Sequence, residues 1–324
     1  MLPAEFIQTG SAKPIKRAKR NINGVLLLDK PYGISSNKAL QRVKFNFSAN
    51  KSGHTGTLDP MATGLLPICL GEATKFSSVL LGADKMYEAI LRLGFMSTTG
   101  DAEGEITQLT TNTRQFNRLE YEDILRQFIG KISQVPPMYS ALKYHGKPLY
   151  VYARSGEVIE RPPREISIYG IKINSVVDDE LHITVHCGTG TYIRTLAEDI
   201  GKALGYGGAY LIKLRRLAID RFNLSQAQTM TVLETMSLTE RDNCLLPIDS
   251  LLQQFTAVTL DQSATLNLIQ GRSISALPAA GSLTAGTVVR LYDPQQQFFG
   301  LGEVTSEQKI IPKRLLANSL CLDK

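Results

Sequence analysis

The fifteen residues from Gly53 to Pro67, GHTGTLDPMATGLLP, constrain this chain more than any other stretch, because they hold three glycines and two prolines. Glycine permits positive φ and proline fixes φ at about −65°, so such a segment has few ways to run and reads as a tight loop over 52–66. One aspartate, Asp59, sits inside it, directly before a proline. Local chemistry alone favours an Asx-turn, with the carboxylate bonding its own backbone. The other reading is a reactive carboxylate displayed by a rigid loop.

The flanking segments read as a mixed α and β body. The apolar run Val25–Leu28 stops at Asp29-Lys30-Pro31 and predicts a buried strand. Ser35 or Ser36 can cap a helix carrying Ala39, Leu40, Val43 and Phe47 at helical spacing. Residues 86–95 alternate, with Tyr87, Ala89, Leu91 and Leu93 on one face, and predict a strand. A helix is expected over 119–129, strands over about 166–176, 181–187 and 210–219, and a helix starting near Thr195. Residues 134–165 are rich in proline, tyrosine and basic side chains and read as a long surface excursion. Near Pro247 the pattern changes. A short helix over about 262–269 and β-like runs at 287–292, 298–304 and 309–311 predict a small β-rich domain over 251–324. The preceding domain is expected over 13–250, behind a disordered 1–12.

The length of 324 residues suggests roughly two domains. Lys plus Arg number 36 against 30 Asp plus Glu, with a pI of about 9.0, which permits a polyanionic partner without requiring one. Residues 13–20, KPIKRAKR, hold five positive charges in eight positions and read either as a solvated arm or as an arm on phosphates. The four cysteines, at 69, 187, 244 and 321, form no CxxC pair, and free thiols in a reducing compartment are expected. No apolar leader opens the chain, and no apolar run approaches the roughly 20 residues of a membrane span, so a soluble cytoplasmic protein with no membrane partner is expected. His182 and His186 lie in an alternating strand-like run without the glutamate of HExxH, so no metal site is expected. Gly300-Leu301-Gly302 lacks the third glycine of a dinucleotide fingerprint.

Read as a motif, Gly53-His54-Thr55-Gly56-Thr57-Leu58-Asp59-Pro60 followed by Ala62-Thr63-Gly64-Leu65-Leu66 resembles the catalytic motif of the TruB family, the tRNA pseudouridine-55 synthases. Other segments resemble the family in the same order. These are Gly24–Pro31 with Gly33 and Ser36; Lys85, Tyr87, Glu88 and Ala89; Pro136-Pro137 through Arg164; Gly190-Thr191-Tyr192-Ile193-Arg194; and Leu214-Arg215-Arg216. The C-terminal part is similar to the PUA-like RNA-binding domain of bacterial members. After Arg216 many members carry Thr and then Gly before Phe; here Leu217 and Asp220 stand there, with Phe222 kept. The resemblance implies an α+β fold, a mixed-sheet catalytic domain with a small β-rich PUA-like domain.

It also implies chemistry. Isomerising uridine to pseudouridine breaks a C–N glycosidic bond, turns the uracil and forms a C–C bond, so nothing is oxidised and no cofactor is needed. Glycoside chemistry uses carboxylates against an electron-poor sugar carbon, and a pair is needed when a leaving oxygen must be protonated. Here the base stays bound, and Asp59 alone is implied as the nucleophile, with attack on the sugar carbon, attack on the base and removal of a ribose proton all open to it by sequence. Arg194 is implied as the guanidinium that keeps it charged; helix N-termini disfavour cations, so one placed there has a specific use. The uridine must be flipped out of folded RNA, and aromatic stacking offsets the cost. Tyr87 is implied as the stacking residue, Tyr192 as a pocket wall, Leu214 as an apolar contact and His54 as an RNA contact near the vacated stack. Lys30, Lys143, Arg154, Arg161 and Arg164 are implied to grip RNA, with 134–165 as the gripping insertion. The implied partner is the T arm of tRNA, with no obligatory protein partner and a monomeric enzyme. Two rivals are a non-catalytic RNA chaperone using the same cleft and an enzyme of an RNA-guided particle.

Overall fold

The computed structural model describes residues 18–109, 116–275 and 283–317. The expectations for residues 1–12, for most of the basic arm and for Cys321 fall outside them. The chain opens with strand β1 (Gly24–Lys30) and helix α1 (Ser36–Asn46). The Ser35 hydroxyl caps α1 by accepting the Lys38 N–H, and Ala39, Leu40 and Val43 form its buried face. The glycine-rich segment is not all loop. Its ends enter β2 (Ser52–His54) and β3 (Thr63–Leu70), leaving 55–62 as the loop proper. Pairing to β1 and burial on both faces override the glycine and proline of TGLLPICL. Residues Gly71–Gly82, to which the sequence patterns assign nothing, follow as 3₁₀ turns.

Strand β4 (Lys85–Leu93) alternates in burial as its sequence predicts. A hairpin, β5 (Phe95–Ser97) and β6 (Ile106–Gln108), comes next. Helix α2 (Arg118–Arg126) starts at a capping box of Asn117 and Glu120 and leads to β7 (Gly130–Gln134). The long excursion carries a two-stranded ribbon, β8 (Lys143–Tyr144) and β9 (Lys147–Pro148), and the short helix α3 (Leu149–Arg154). Strands β10 (Arg164–Val177) and β11 (Glu180–Cys187), helix α4 (Ile193–Ala203) and strand β12 (Ala209–Ile219) stand where they are expected. The departure from the family motif falls in the turn from β12 to β13 (Phe222–Asn223), where Asp220 takes φ 51°, a conformation Asp tolerates. Strand β14 (Gln228–Thr229) and helices α5 (Met230–Thr235) and α6 (Leu238–Asn243) complete this part.

These strands build one mixed ten-stranded sheet in the order β14-β1-β3-β12-β4-β11-β10-β7, with β2 on β3 and β13 on β12. Pairs β1/β14 and β3/β12 are parallel and the others antiparallel. The continuous apolar run of β1 follows from burial on both faces. Leu26 and Leu28 join the main core with α1 and α4, whereas Val25 and Leu27 join a second cluster on the opposite face. That second cluster holds Phe76, Leu80, Leu251 and Leu252 and reaches Leu301 of a second sheet. The second sheet is formed by β15 (Thr256–Thr259), β16 (Ile274–Ser275), β17 (Val288–Tyr292), β18 (Phe298–Val304) and β19 (Lys309–Leu315), in the order β15-β17-β18-β19-β16, with helix α7 (Gln262–Ile269) packed on it. The mixed sheet and the small β-rich unit agree with the α+β architecture that the resemblance implies.

One glycine is set by close approach. Gly64 has φ 102° and pairs with Arg216 across the parallel β3/β12 contact, and a Cβ there would lie 2.7 Å from the Arg216 amide nitrogen. Gly64→Ala is expected to destabilise the chain by about 2–4 kcal/mol, because both the backbone angle and the strand spacing must give. Urea unfolding of the variant beside wild type checks this.

Candidate active site

Main-chain and side-chain ties hold the 55–62 loop at both ends and in the middle. The Thr55 N–H donates to the Pro67 carbonyl at 3.2 Å, and the Ser36 hydroxyl both accepts from Leu58 N–H (2.7 Å) and donates to Leu58 C=O (2.9 Å). The Pro60 carbonyl accepts from Gly33 N–H at 2.9 Å and from the Lys30 ammonium at 3.3 Å. Lys30 is fully buried, and its ammonium also donates to the carbonyls of Pro31 (2.9 Å) and Ile34 (2.6 Å). The expectation that Lys30 grips RNA is therefore corrected: it lies beneath the loop, where no phosphate reaches it. Burial pulls its ammonium down to about 8, with Asp59 opposing the shift.

The turn at Asp59 is closed by its own carbonyl, which accepts from Ala62 N–H at 3.1 Å. The carboxylate is thus free of Asx-turn duty and faces Arg194, with Oδ2 3.2 Å from Nη2. Arg194 lies in the first turn of α4 and is only 6% exposed. Its Nη2 donates to the Tyr139 carbonyl at 2.6 Å and its Nη1 to the Thr99 carbonyl at 2.9 Å. A second carboxylate, Asp101, stands 3.5 Å from Nη1 and is itself 2% exposed. Asp101 escapes the sequence reading because it lies some forty positions from Asp59 in an unremarked hairpin. Its one signal is its place among Ser97, Thr98 and Thr99, whose hydroxyls can hold a buried carboxylate; Thr99 Oγ1 does so at 2.6 Å.

Five of the expected residues meet in one cavity of about 250 Å³: Asp59, Tyr87, Tyr192, Arg194 and Leu214. Tyr87 comes from β4 and Leu214 from β12, both nearly buried. Arg216, named in the sequence motif but given no role there, is 1% exposed, spans Leu65 C=O (2.7 Å) and Gly56 C=O (3.2 Å), and lies at the Tyr87 hydroxyl. Desolvation pushes the Tyr87 phenol above its usual value, with Arg216 pulling the other way. Tyr192 precedes α4, and its backbone N–H and C=O are both bonded by the Gln134 side chain, at 2.8 and 3.1 Å.

A wider cleft of about 1220 Å³ adjoins this cavity and shares Asp59 and Arg194 with it. His54, Lys143 and Arg154 line it. His54 Nδ1 is buried without a hydrogen-bond partner, and desolvation, then Arg216, holds its pKa below the usual value. Arg154 stacks over Tyr150 at 5.5 Å. Arg164 is exposed at the start of β10 and its charge acts on Tyr192. Arg161 lines neither cavity; its Nε and Nη1 are buried without partners. His182 and His186 stand on β11, near Glu180 (3.4 Å) and against the Tyr169 ring (4.9 Å).

The Asp59 carboxyl is raised above the ordinary carboxylate value, because desolvation outweighs the Arg194 and Lys30 charges and Asp101 adds to it. The folded chain therefore holds this proton more tightly than the unfolded one. That contribution to stability is present below the ordinary carboxylate value and is lost as pH rises through the raised folded value. A neutral amide avoids the loss, and Arg194 keeps Asp101. Asp59→Asn is expected to melt no lower than wild type at about pH 7, with any advantage fading toward about pH 3. Melting curves of both proteins across that range check it.

Comparison with known proteins follows this geometry closely. Residues 44–193 match the family described as TruB family pseudouridylate synthase (N terminal domain), 194–253 match the tRNA pseudouridylate synthase B C-terminal domain, and 256–316 match the C-terminal domain of pseudouridine synthase II TruB. The chain is 59% identical over 303 residues to the tRNA pseudouridine synthase B of Nitrosospira multiformis, covering 92% of this chain and 97% of that one. It is 53% identical to the protein of the same name from Nitrosomonas europaea, covering 90% and 95%. Among solved structures, a Cbf5-Nop10-Gar1 complex matches with TM-score 0.67 at 24% identity, covering 90% of this chain and 84% of that one. An H/ACA RNP bound to a substrate RNA containing 2'-deoxyuridine matches with TM-score 0.66 at 22% identity over the same shares, and both likenesses bear on fold alone. By sequence along nearly its whole length, and by the fold and cavity just described, this chain belongs to the TruB family of pseudouridylate synthases.

Proposed function

We propose that this protein isomerises uridine to pseudouridine in tRNA, at position 55 of the T arm, with Asp59 as nucleophile. The observation that carries the reading is one carboxylate set 3.2 Å from a buried guanidinium in a cavity walled by Tyr87, Tyr192 and Leu214. Such a cavity admits a single extruded nucleotide and no duplex, so base flipping is required. Tyr87 offers the face on which uracil stacks, and Leu214 an apolar edge. The C–N bond opens at the sugar carbon facing Asp59, the uracil turns within the cavity, and the C–C bond closes. The C5 proton leaves and N1 gains one, so atoms and charge balance without a cofactor.

RNA lies along the wider cleft. Lys143 and Arg154 line it, Arg164 flanks the cavity, and Arg161 belongs to the same insertion. We assign residues 134–165 as the RNA grip, 13–250 as the catalytic unit and 251–324 as a further RNA-binding unit. The relatives named for tRNA cover over nine-tenths of the chain at 53–59% identity, which favours action on tRNA over work in a guided particle, and the proposal includes a free-standing monomer in the cytoplasm.

Asp59→Asn is expected to lower pseudouridine formation on a T-arm hairpin by at least about 10³-fold while the RNA dissociation constant stays within about threefold, because charge is lost and shape is kept. Mapping product by position tests both chemistry and site. Full activity in the variant, or product elsewhere than the T loop, contradicts the proposal; RNA refolding that persists in the inactive variant identifies a chaperone role beside it. Binding is expected to weaken with salt at roughly 0.7–0.9 log units per log unit of salt for each phosphate held, and Lys143→Ala with Arg154→Ala is expected to flatten that slope. Titrations at several salt concentrations measure it, and an unchanged slope in the double variant removes those two residues from the phosphate-gripping surface.

A further inference from the structure

We infer that Gln134 is a positioning residue for Arg194: from the root of the 134–165 insertion its side-chain amide clasps the main chain of Tyr192, two residues before the guanidinium that faces Asp59. This rests on the isomerase reading above and adds a residue to it. Gln134 closes β7 and pairs with Arg164, the first residue of β10, so the insertion leaves and re-enters the sheet at this one pair. Gln134 is 3% exposed, and both ends of its amide are engaged. Oε1 accepts the Tyr192 N–H at 2.8 Å, and Nε2 donates to the Tyr192 C=O at 3.1 Å. A side-chain amide carries acceptor and donor side by side, which is what a clasp on both main-chain groups of one residue needs.

The clasp falls where α4 begins. Tyr192 stands at the N-cap of α4, its C=O accepts the first helical bond from Leu196 N–H at 3.1 Å, and its own side chain caps nothing among the described residues. In a capping box the N-cap N–H is answered by a Glu or Gln three residues on. Thr195 holds that place here, and the answer comes instead from Gln134, 58 positions away. The start of α4 is therefore set from the edge strand of the sheet and not by its own sequence. A second tie runs beside the first, because Tyr139, five residues after Gln134, gives its C=O to Arg194 Nη2 at 2.6 Å. The same limb of the insertion is held to the cleft wall. Ser140 C=O accepts from Tyr150 N–H (3.1 Å) and Leu142 C=O from Leu149 N–H (2.7 Å), and Tyr150 and Arg154 line the wider cleft. Gln134 and Tyr139 thus join the RNA grip to the residue that faces Asp59. Without the clasp the Tyr192 N–H loses its partner, and the first turn of α4 shifts with Arg194 on it.

The test uses the full chain and a T-arm hairpin under single-turnover conditions. Gln134→Met keeps the length of the side chain and makes neither bond. It is expected to slow the isomerisation step about 10- to 100-fold with RNA affinity within about threefold, because a misplaced reacting group costs rate and not binding. Amide hydrogen exchange across residues 188–196 is expected to run at least about tenfold faster in that variant without RNA, since the clasp no longer holds the start of α4. Gln134→Asn, one methylene short, is expected to behave the same way and serves in its place should the Met variant not fold. A wild-type rate in the folded variants, even with a lower melting temperature, makes Gln134 a residue of the fold alone and overturns the assignment. A loss confined to RNA affinity, or a slowed rate with unchanged exchange across 188–196, overturns it as well. A wild-type protein that makes no pseudouridine overturns the isomerase reading itself, whereas an active wild type with equally active variants overturns the role of Gln134 and leaves that reading standing.

Discussion

A guanidinium taken out of water must be answered by acceptors on every side, and in this protein that requirement assembles the site. Arg194 is answered by Asp59 from the loop, Thr99 and Asp101 from the β5–β6 hairpin, and Tyr139 from the excursion. Three segments distant in sequence are thus drawn to one point at the start of α4. Buried ion pairs contribute little net stability against a hydrophobic alternative, but removing one partner leaves a charge unanswered. The arrangement is better understood as a device for geometry than for stability. Two carboxylates share one guanidinium, so neither has it to itself.

The fold supplies a rigid floor for this pair. Strands β1 and β3 are buried on both faces, one against α1 and α4 and the other against the second cluster. Lys30, at the end of β1, turns its ammonium onto the loop carbonyls, and Arg216 on β12 spans Leu65 and Gly56 across the base of the same loop. Each buried cation here bonds carbonyl oxygens, which lets charge sit inside the body without a matching carboxylate. The second cluster continues into the small sheet through Leu301. Lys75 to Leu315 C=O (2.9 Å), Arg314 to Lys75 C=O (3.0 Å) and Tyr292 to Asp249 (2.6 Å) add polar ties across the same junction.

Patterns that depend on neighbours close in sequence were legible. A serine cap at 35 or 36, the alternation of β4 and the helical face of α1 follow from spacing alone, and the structure places the cap at Ser35. Where a segment's state depended on what packs against it, the pattern was silent or misled. Residues 63–66 fall in the stretch that reads as loop, yet pairing with β1 makes Thr63–Leu70 a strand. Lys30 reads as a surface cation beside a turn, yet three carbonyls, two from the turn after β1 and one from the Asp59 loop, converge on it. Asp101 had only its neighbouring hydroxyls as a signal, because the cation it faces is met only when the hairpin reaches the start of α4.

The sequence by itself determined the loop that presents Asp59, since glycine and proline restrict φ at fixed positions whatever surrounds them. It also carried the family likeness, residue by residue, in Tyr87, Tyr192, Arg194 and Leu214. Tertiary structure alone decided which charges face one another. Pairing energies fall steeply with distance and rise with burial, and neither is written in the order of residues along a chain.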